Sequence, residues 1–188
     1  TCLGARFGGH LGRRLEAGDR LAVAAPRRPP LVGAAAPSSW RMPAQPPAVR
    51  VVMGPQEEAF TEEARQAFLS AAYQVTAEVD RMGCRLEGPV LAHSGSADII
   101  SDWIPPGGIQ VPGSGKPIVL LANRQTTGGY TKIATVIGPD LPVVAQSRPG
   151  DSLRFRAVSV GEAQAAARQL ERALAALPDR LESPSFWS

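Results

Sequence analysis

The side chains best suited to chemistry lie together between Ile104 and Lys132, in the run IPPGGIQVPGSGKPIVLLANRQTTGGYTK. A short apolar strand is expected over Ile109–Val111, then a Gly-Ser-Gly turn, then a longer strand over Ile118–Ala122. The polar loop Asn123–Tyr130 follows, with a carboxamide, the hydroxyls of Thr126 and Thr127, two glycines and flanking cations. Only glycine tolerates positive φ at little cost, so Gly128-Gly129 is expected to let backbone N–H groups converge on one point. Loops carried on rigid strands are where binding groups usually sit. Residue types alone nevertheless favour a hairpin followed by a solvated turn, because turns draw on the same residues.

Other runs contain reactive residue types without the spacing that chemistry needs. Gly113-Ser114-Gly115-Lys116 has the composition of a phosphate loop, but Gln110 and Pro117 stand where that motif needs glycine and a hydroxyl. The run also lies between strands, with no helix N-terminus to add its dipole. His93–Asp98, HSGSAD, contains the residue types of a hydrolase triad, yet triads are assembled by the fold and seldom by adjacency. The soft metal ligands are His10, His93, Cys2 and Cys84, none at paired spacing, so no metal is expected. No Met adjoins a Lys, so there is no biotin-carrier pattern. Two cysteines are too few for a disulfide framework and suit a reducing cytoplasm, with a single bridge between them left open.

Composition narrows the scaffold that must position these groups. The chain has 188 residues, 44% hydrophobic and 20% charged, which suits one domain with a small appendage and a real core. The net charge is +3, with cations scattered among acids and no clustered aromatics, so nucleic acid is not an expected partner. No apolar run is long enough to span a bilayer and the opening residues show no signal pattern, so no membrane partner is expected and a cytoplasmic location is. With 19 Gly, 18 Pro and only 5% aromatics, many short elements joined by tight turns are favoured over a helical bundle. The chain starts at Thr1 with what reads as the tail of a structured segment, so a fragment of a longer polypeptide is expected. Residues 1–25 are read as the end of that segment, 26–47 as a Pro-rich linker, and 48–188 as a barrel domain with a C-terminal helix.

Strands are expected at Leu21–Ala25, Val49–Met53, Tyr73–Val79, across Arg81–Pro89 with a glycine break, from Ile99, over Thr131–Ile137, and through Leu153, Phe155 and Ala157. One helix should begin at Thr61 as N-cap, with an apolar stripe of Ala64, Ala67, Phe68, Ala71 and Ala72. A second opens on the capping box Ser159/Glu162 and stops at Pro178, while Leu141–Ala145 is read as a short helix or turn. Two helices and about eight short strands leave little room for parallel crossovers. An antiparallel barrel with helices at its ends is the economical architecture.

Four runs carry a family resemblance: GPQEEAFTEEA (54–64), DRMGCRLEGP (80–89), SDWIPPGGIQVPGSGKPIVLLANRQTTGGYTKIATVI (101–137) and RPGDSLRF (148–155). Together they resemble the biotin-dependent carboxyltransferase-like family, which includes allophanate hydrolase subunit 2, the KipA-type proteins and the C subunit of 5-oxoprolinase. The opening FGGHLGRRLEAGDRL resembles the family's middle segment, so the chain corresponds to the C-terminal portion of a full-length family member. RQTTGGY in register with IPPGGIQVP is the most specific part. The resemblance implies a mostly β protein with two or more helices, built as a cyclophilin-like β-barrel. It also implies membership of an ATP-dependent hydrolase complex cleaving 5-oxo-L-proline to L-glutamate, with KipI-type and LamB/YcsF-like proteins as the partner subunits. The chain would supply part of a shared site, ATP would act at the level of the complex, and the chain alone would be inactive.

Two alternatives come with the same resemblance. One is the carboxyltransferase half of a urea carboxylase/allophanate hydrolase system, with biotin as cofactor. The other is a KipA-type regulatory protein binding a KipI-type kinase inhibitor. Both enzymatic readings act on a small amide and must stabilise negative charge on an oxygen, which suits donors fixed in advance. The resemblance offers Arg124, Gln125 and Lys132 as catalytic groups. It offers Gln110, Thr126, Thr127, Gly128, Gly129 and Tyr130 for substrate binding. Read as residues alone, Lys132 equally fits a solvent-facing cation, and Gln110 fits a tie between strands. The chain departs from the family pattern at Asn123, where Asp is expected, at Cys84, where Tyr is frequent, and at Trp103, where the residue is commonly small.

Overall fold

The structure is a computed structural model that describes residues 5–25 and 48–177, two units taken one at a time. The expected linker at 26–47 and the helix stop at Pro178 lie outside the described residues. Residues 5–25 are organised around Asp19. The Arg13 guanidinium donates to both oxygens of its carboxylate, at 2.8 and 2.6 Å, and the Glu16 N–H donates at 2.7 Å. These donors hold Asp19 well below the usual carboxylate range. The strand expected over Leu21–Ala25 is absent: those residues are exposed, and among the described residues none pairs with them. β-propensity without a partner strand leaves only an extended chain.

Residues 48–177 contain nine strands and three α-helices. In chain order they are β1 (Val49–Met53), α1 (Glu62–Ser70), β2 (Ala72–Val79), β3 (Gly83–Glu87), β4 (Asp98–Trp103) and β5 (Gly108–Gln110). Then come β6 (Ile118–Leu120), β7 (Thr127–Tyr130), β8 (Lys132–Val136), α2 (Leu141–Ala145), β9 (Ser152–Ala157) and α3 (Val160–Ala175). Seven strands close a barrel in the order β1-β8-β5-β6-β3-β2-β9, and β4 and β7 form a separate two-stranded ribbon. The mostly β barrel expected from the resemblance is therefore present, with a third, short helix at 141–145. One expectation needs correction. The barrel is antiparallel except at its seam, where β9 and β1 run parallel with Val49 opposite Phe155. Direction cannot alternate around a ring of seven, so at least one neighbouring pair must be parallel.

Alternation along the strands builds the core. Val49 and Val51, Tyr73 and Val75, Cys84 and Leu86, and Leu153 and Phe155 turn inward and are buried, whereas Arg154 and Arg156 stay exposed. Thr61 caps α1, its Oγ1 accepting the Ala64 N–H at 3.2 Å. The helix buries Ala64 and Phe68, and the Phe68 ring stacks on Phe155 with centroids 4.7 Å apart. Burying such a ring stabilises the fold by about 1.5–3 kcal/mol. The helix ends at Ser70, so Ala71 and Ala72 leave the expected stripe and lead into β2. The capping box of α3 is formed in both directions, yet no residue of that helix is fully buried. Among the described residues no helix is long and apolar enough to cross a membrane.

The turn between β5 and β6 is held against the segment before β4. The Gly115 N–H donates to Pro112 O and the Leu91 N–H donates to Gly115 O, both at 2.8 Å. Gly115 sits at φ +73°, and a Cβ there would lie 2.4 Å from Val90 Cγ1 and 3.1 Å from the Leu91 nitrogen. Gly113, two residues earlier, has open space around it. Gly115→Ala should therefore lower unfolding stability by about 2 kcal/mol, from backbone strain plus overpacking. Gly113→Ala should change it by less than about 0.5 kcal/mol. Urea unfolding of the two variants checks this, and equal effects would show that the turn is not locked against Leu91.

Candidate functional site

A single extra residue in β8 sets the site. Ile109 pairs with Ala134, but Gln110 pairs with Lys132, so two steps on β8 match one on β5. Such a bulge lets Ile133 and Ala134 both join the core with Ile109, while Gln110 and Lys132 share the barrel's outer face. The β4–β7 ribbon covers that face. It is held by backbone bonds from Ile104 N–H to Thr126 O and from Thr131 N–H to Ala97 O, both at 3.0 Å.

The polar loop is shorter than expected, because Thr127–Tyr130 is strand β7. The glycines also serve a different purpose. Neither Gly128 nor Gly129 is among the positive-φ residues, so no cluster of converging N–H groups forms through left-handed backbone. What matters is the missing Cβ. On Gly128 it would lie 2.8 Å from both Gln110 Nε2 and Ile104 Cδ1, so the ribbon rests on Gln110 as placed only while this position lacks a Cβ or those side-chain ends shift. Gly129 is less tight, with Ile99 O at 3.3 Å.

Lys132 is buried, which removes the solvent-facing alternative. Its Nζ donates to Asp102 Oδ2 at 2.9 Å, and Gln56 brackets its backbone. The Gln56 side-chain oxygen accepts from Lys132 N–H at 3.1 Å, and Gln56 N–H donates to Lys132 O at 3.1 Å. Asp102 is half-exposed; the Lys132 ammonium, then the Trp103 N–H, hold its carboxyl below the ordinary range. Lys132 thus faces Asp102 from beneath the ribbon.

Two cavities, about 500 and 430 Å³, share Gln110, Gln125 and Tyr130 in their linings. The smaller also takes in Gly128 and Gly129. Gln110 is 6% exposed, and its Nε2 makes one long bond, 3.4 Å, to Tyr130 O. The groups common to both cavities are two carboxamides and a phenol, all uncharged. Arg124 does not join them. Its Nε donates to Ile104 O at 2.9 Å and its Nη1 to Leu121 O at 3.4 Å, and its side chain lines a third cleft. Thr126 and Thr127 are exposed and line neither of the two shared cavities.

Residues 1–157 match the family described as carboxyltransferase domain, subdomain A and B. The chain belongs to this family. It is 37% identical over 171 residues to the 5-oxoprolinase C subunit of Haemophilus influenzae, covering 91% of this chain and 54% of that protein. It is 33% identical over 184 residues to the 5-oxoprolinase C subunit of Escherichia coli, covering 97% and 58%. The chain therefore spans little more than half the length of these curated relatives. The crystal structure of the K. lactis urea amidolyase superposes with a TM-score of 0.69 over 79% of this chain and 11% of that one. At 22% identity this is a likeness of fold.

In this carboxyltransferase-family chain, Cys84, Trp103 and Asn123, where the resemblance leads one to expect other residues, fall in different surroundings. Cys84 points into the core, where burial pushes its thiol up to about 11. Trp103 is exposed at the end of β4. Asn123 is exposed in the turn before β7, its N–H donating to Arg81 O at 2.8 Å. Gln56 and Asp102 escape a reading of the sequence for chemistry. Both lie inside runs that carry the resemblance, but no spacing rule links residues 46 or 30 positions apart.

Two outcomes follow from this geometry. Gly128→Ala should cost about 1–3 kcal/mol, because Gln110 or Ile104 must give way, and Gly129→Ala should cost less. Urea midpoints rank the pair. The Lys132–Asp102 pair should also show in acid. Asp102 releases its proton more readily folded than unfolded, so its contribution is present above about pH 4 and fades as pH falls through the lower folded value. The stability gap between the unaltered chain and Asp102→Asn should narrow from pH 6 to pH 3. A gap that stays constant would show that the pair does not act in the folded state.

Proposed function

We propose that this chain is the C-terminal barrel of a 5-oxoprolinase C subunit, where it supplies one half of a shared active site. In this reading the complex opens the lactam ring of 5-oxo-L-proline to L-glutamate in an ATP-dependent reaction. Its partners are a KipI-type protein and a LamB/YcsF-like protein. The observation that carries the reading is the pair of carboxamides, Gln110 and Gln125, that with Tyr130 line both cavities, beside Glu78, Asp80 and Arg85 in the larger and Asp98 in the smaller. A lactam offers one acceptor and one N–H donor, and a carboxamide presents the complementary pair. Gln110 is well suited to hold it, since the ribbon presses on its amide and a barrel strand fixes its backbone. As the carbonyl oxygen gains negative charge, the N–H groups of Gln110 and Gln125 stand in the wall of its cavity, and such preorganisation lowers the barrier. Tyr130 walls the site and offers a hydroxyl.

The same inventory supports a site completed from outside. None of the three shared groups carries charge, whereas ring opening moves protons and develops charge. The Gly-Ser-Gly-Lys turn does not fit a triphosphate, because Lys116 Nζ is held by both oxygens of Glu87 at 2.5 and 2.7 Å and no helix follows. In this reading ATP acts at the level of the complex, and the chain alone should release no glutamate. A biotin-dependent carboxyltransferase acting on urea is the second reading, favoured by the family's description.

Reconstitution with both partner proteins, scoring ATP-dependent glutamate release from 5-oxoproline, tests the proposal. Gln110→Ala and Gln125→Ala should each lower kcat/KM by roughly 100-fold, the scale for one lost oxyanion donor. Full activity in both variants would place the site elsewhere. Carboxyl transfer from biotin to urea without glutamate release would select the second reading.

A further inference from the structure

A third cleft, about 900 Å³, opens between the β2–β3 turn, the β6–β7 turn and α2. None of Gln110, Gln125 and Tyr130 lines it. Its apolar wall includes Leu121, Leu141 and Ala145, and its polar groups include Arg81 and Arg124. The two turns that carry these arginines are joined by the backbone: Asn123 N–H donates to Arg81 O at 2.8 Å, and Leu121 N–H to Met82 O at 2.9 Å.

Arg124 is half-buried, and the carbonyls of Ile104 and Leu121 fix the plane of its guanidinium. A neutral carbonyl orients a guanidinium without neutralising it, and the remaining N–H groups of the fork stay free. Among the described residues Arg13, Arg50, Arg65 and Arg85 each meet a carboxylate, but Arg124 and Arg81 make no salt bridge. Asp80 also lines the cleft, with its Oδ1 occupied by the N–H groups of Met82 and Gly83 at 2.7 and 3.1 Å. The cleft therefore joins an oriented guanidinium that makes no salt bridge, a second cation, the Asp80 carboxylate held on the β2–β3 turn, and an apolar wall.

We infer that this cleft binds an organic carboxylate with an apolar body. The carboxylate takes the free edge of Arg124, Arg81 adds charge at the rim, and the apolar body lies against Leu121, Leu141 and Ala145. A planar fork matches a carboxylate's two oxygens, and the volume lies in the range of small-molecule sites. The inference does not rest on the oxoprolinase reading, since it concerns binding by this chain without turnover.

Calorimetric titration of the chain with benzoate, benzamide and acetate tests it. Benzoate should bind, while benzamide, which lacks the charge, and acetate, which lacks the ring, should each bind at least roughly tenfold more weakly. Arg81→Gln and Ala145→Trp alter exposed side chains that make no hydrogen bond among the described residues, so they should leave the urea midpoint unchanged. Each should weaken benzoate by roughly tenfold, the first by removing charge and the second by filling the apolar side. Arg124→Gln should abolish binding, and Arg124→Lys, which keeps the charge and loses the fork, should restore part of it. Equal binding of benzoate and benzamide would overturn the inference. So would an unchanged benzoate affinity in a folded Ala145→Trp variant.

Discussion

A lysine ammonium taken out of water must keep a charged partner, and among the described residues Lys132 meets Asp102 on the ribbon. Much else in the barrel's outer face follows from that pair. Asp102 lies on β4, so the ion pair ties the ribbon to a barrel strand, and the paired strand β7 comes with it. Gly128 then comes close against Gln110, where an added Cβ would displace side-chain ends, and Tyr130 reaches the cavity wall. The bulge in β8 is the condition for all of this. If the same residues paired without the bulge, Lys132 would fall opposite Val111 and turn toward the core, and Gln110 would lose its neighbour on the outer face.

The segment after β6 separates two chemistries that lie next to each other in the chain. Gln125 joins Gln110 and Tyr130 around two cavities whose shared carboxamides suit an amide. Arg124, one residue earlier, turns to a cleft where cations meet an apolar wall. Arg124 and Gln125 are neighbours in the chain yet line different cavities. A group of donors that looks like one cluster in the sequence is two half-inventories in space.

Elements governed by local rules were legible in the residues. Thr61 and the Ser159/Glu162 box start their helices as their side-chain oxygens require, and the alternation of Leu153 and Phe155 with arginines gives a half-buried strand. Leu21–Ala25 shows the limit of such rules, because a strand exists only where another strand pairs with it. Gly128-Gly129 shows a second limit. What these glycines do for the structure lies in the space beside them and not in their own φ.

The sequence by itself determined the barrel's inward and outward residues, the helix starts, the amide-bearing stretch and, through its motifs, the family. Each of these depends on neighbours within a few positions or on the residue types themselves. Only the tertiary structure decided that Lys132 is buried against Asp102, that Arg124 and Gln125 face different cavities, and that the ring closes on a parallel seam. Those outcomes depend on contacts between residues tens of positions apart, on a one-residue bulge and on the odd number of strands, and no local pattern carries that information.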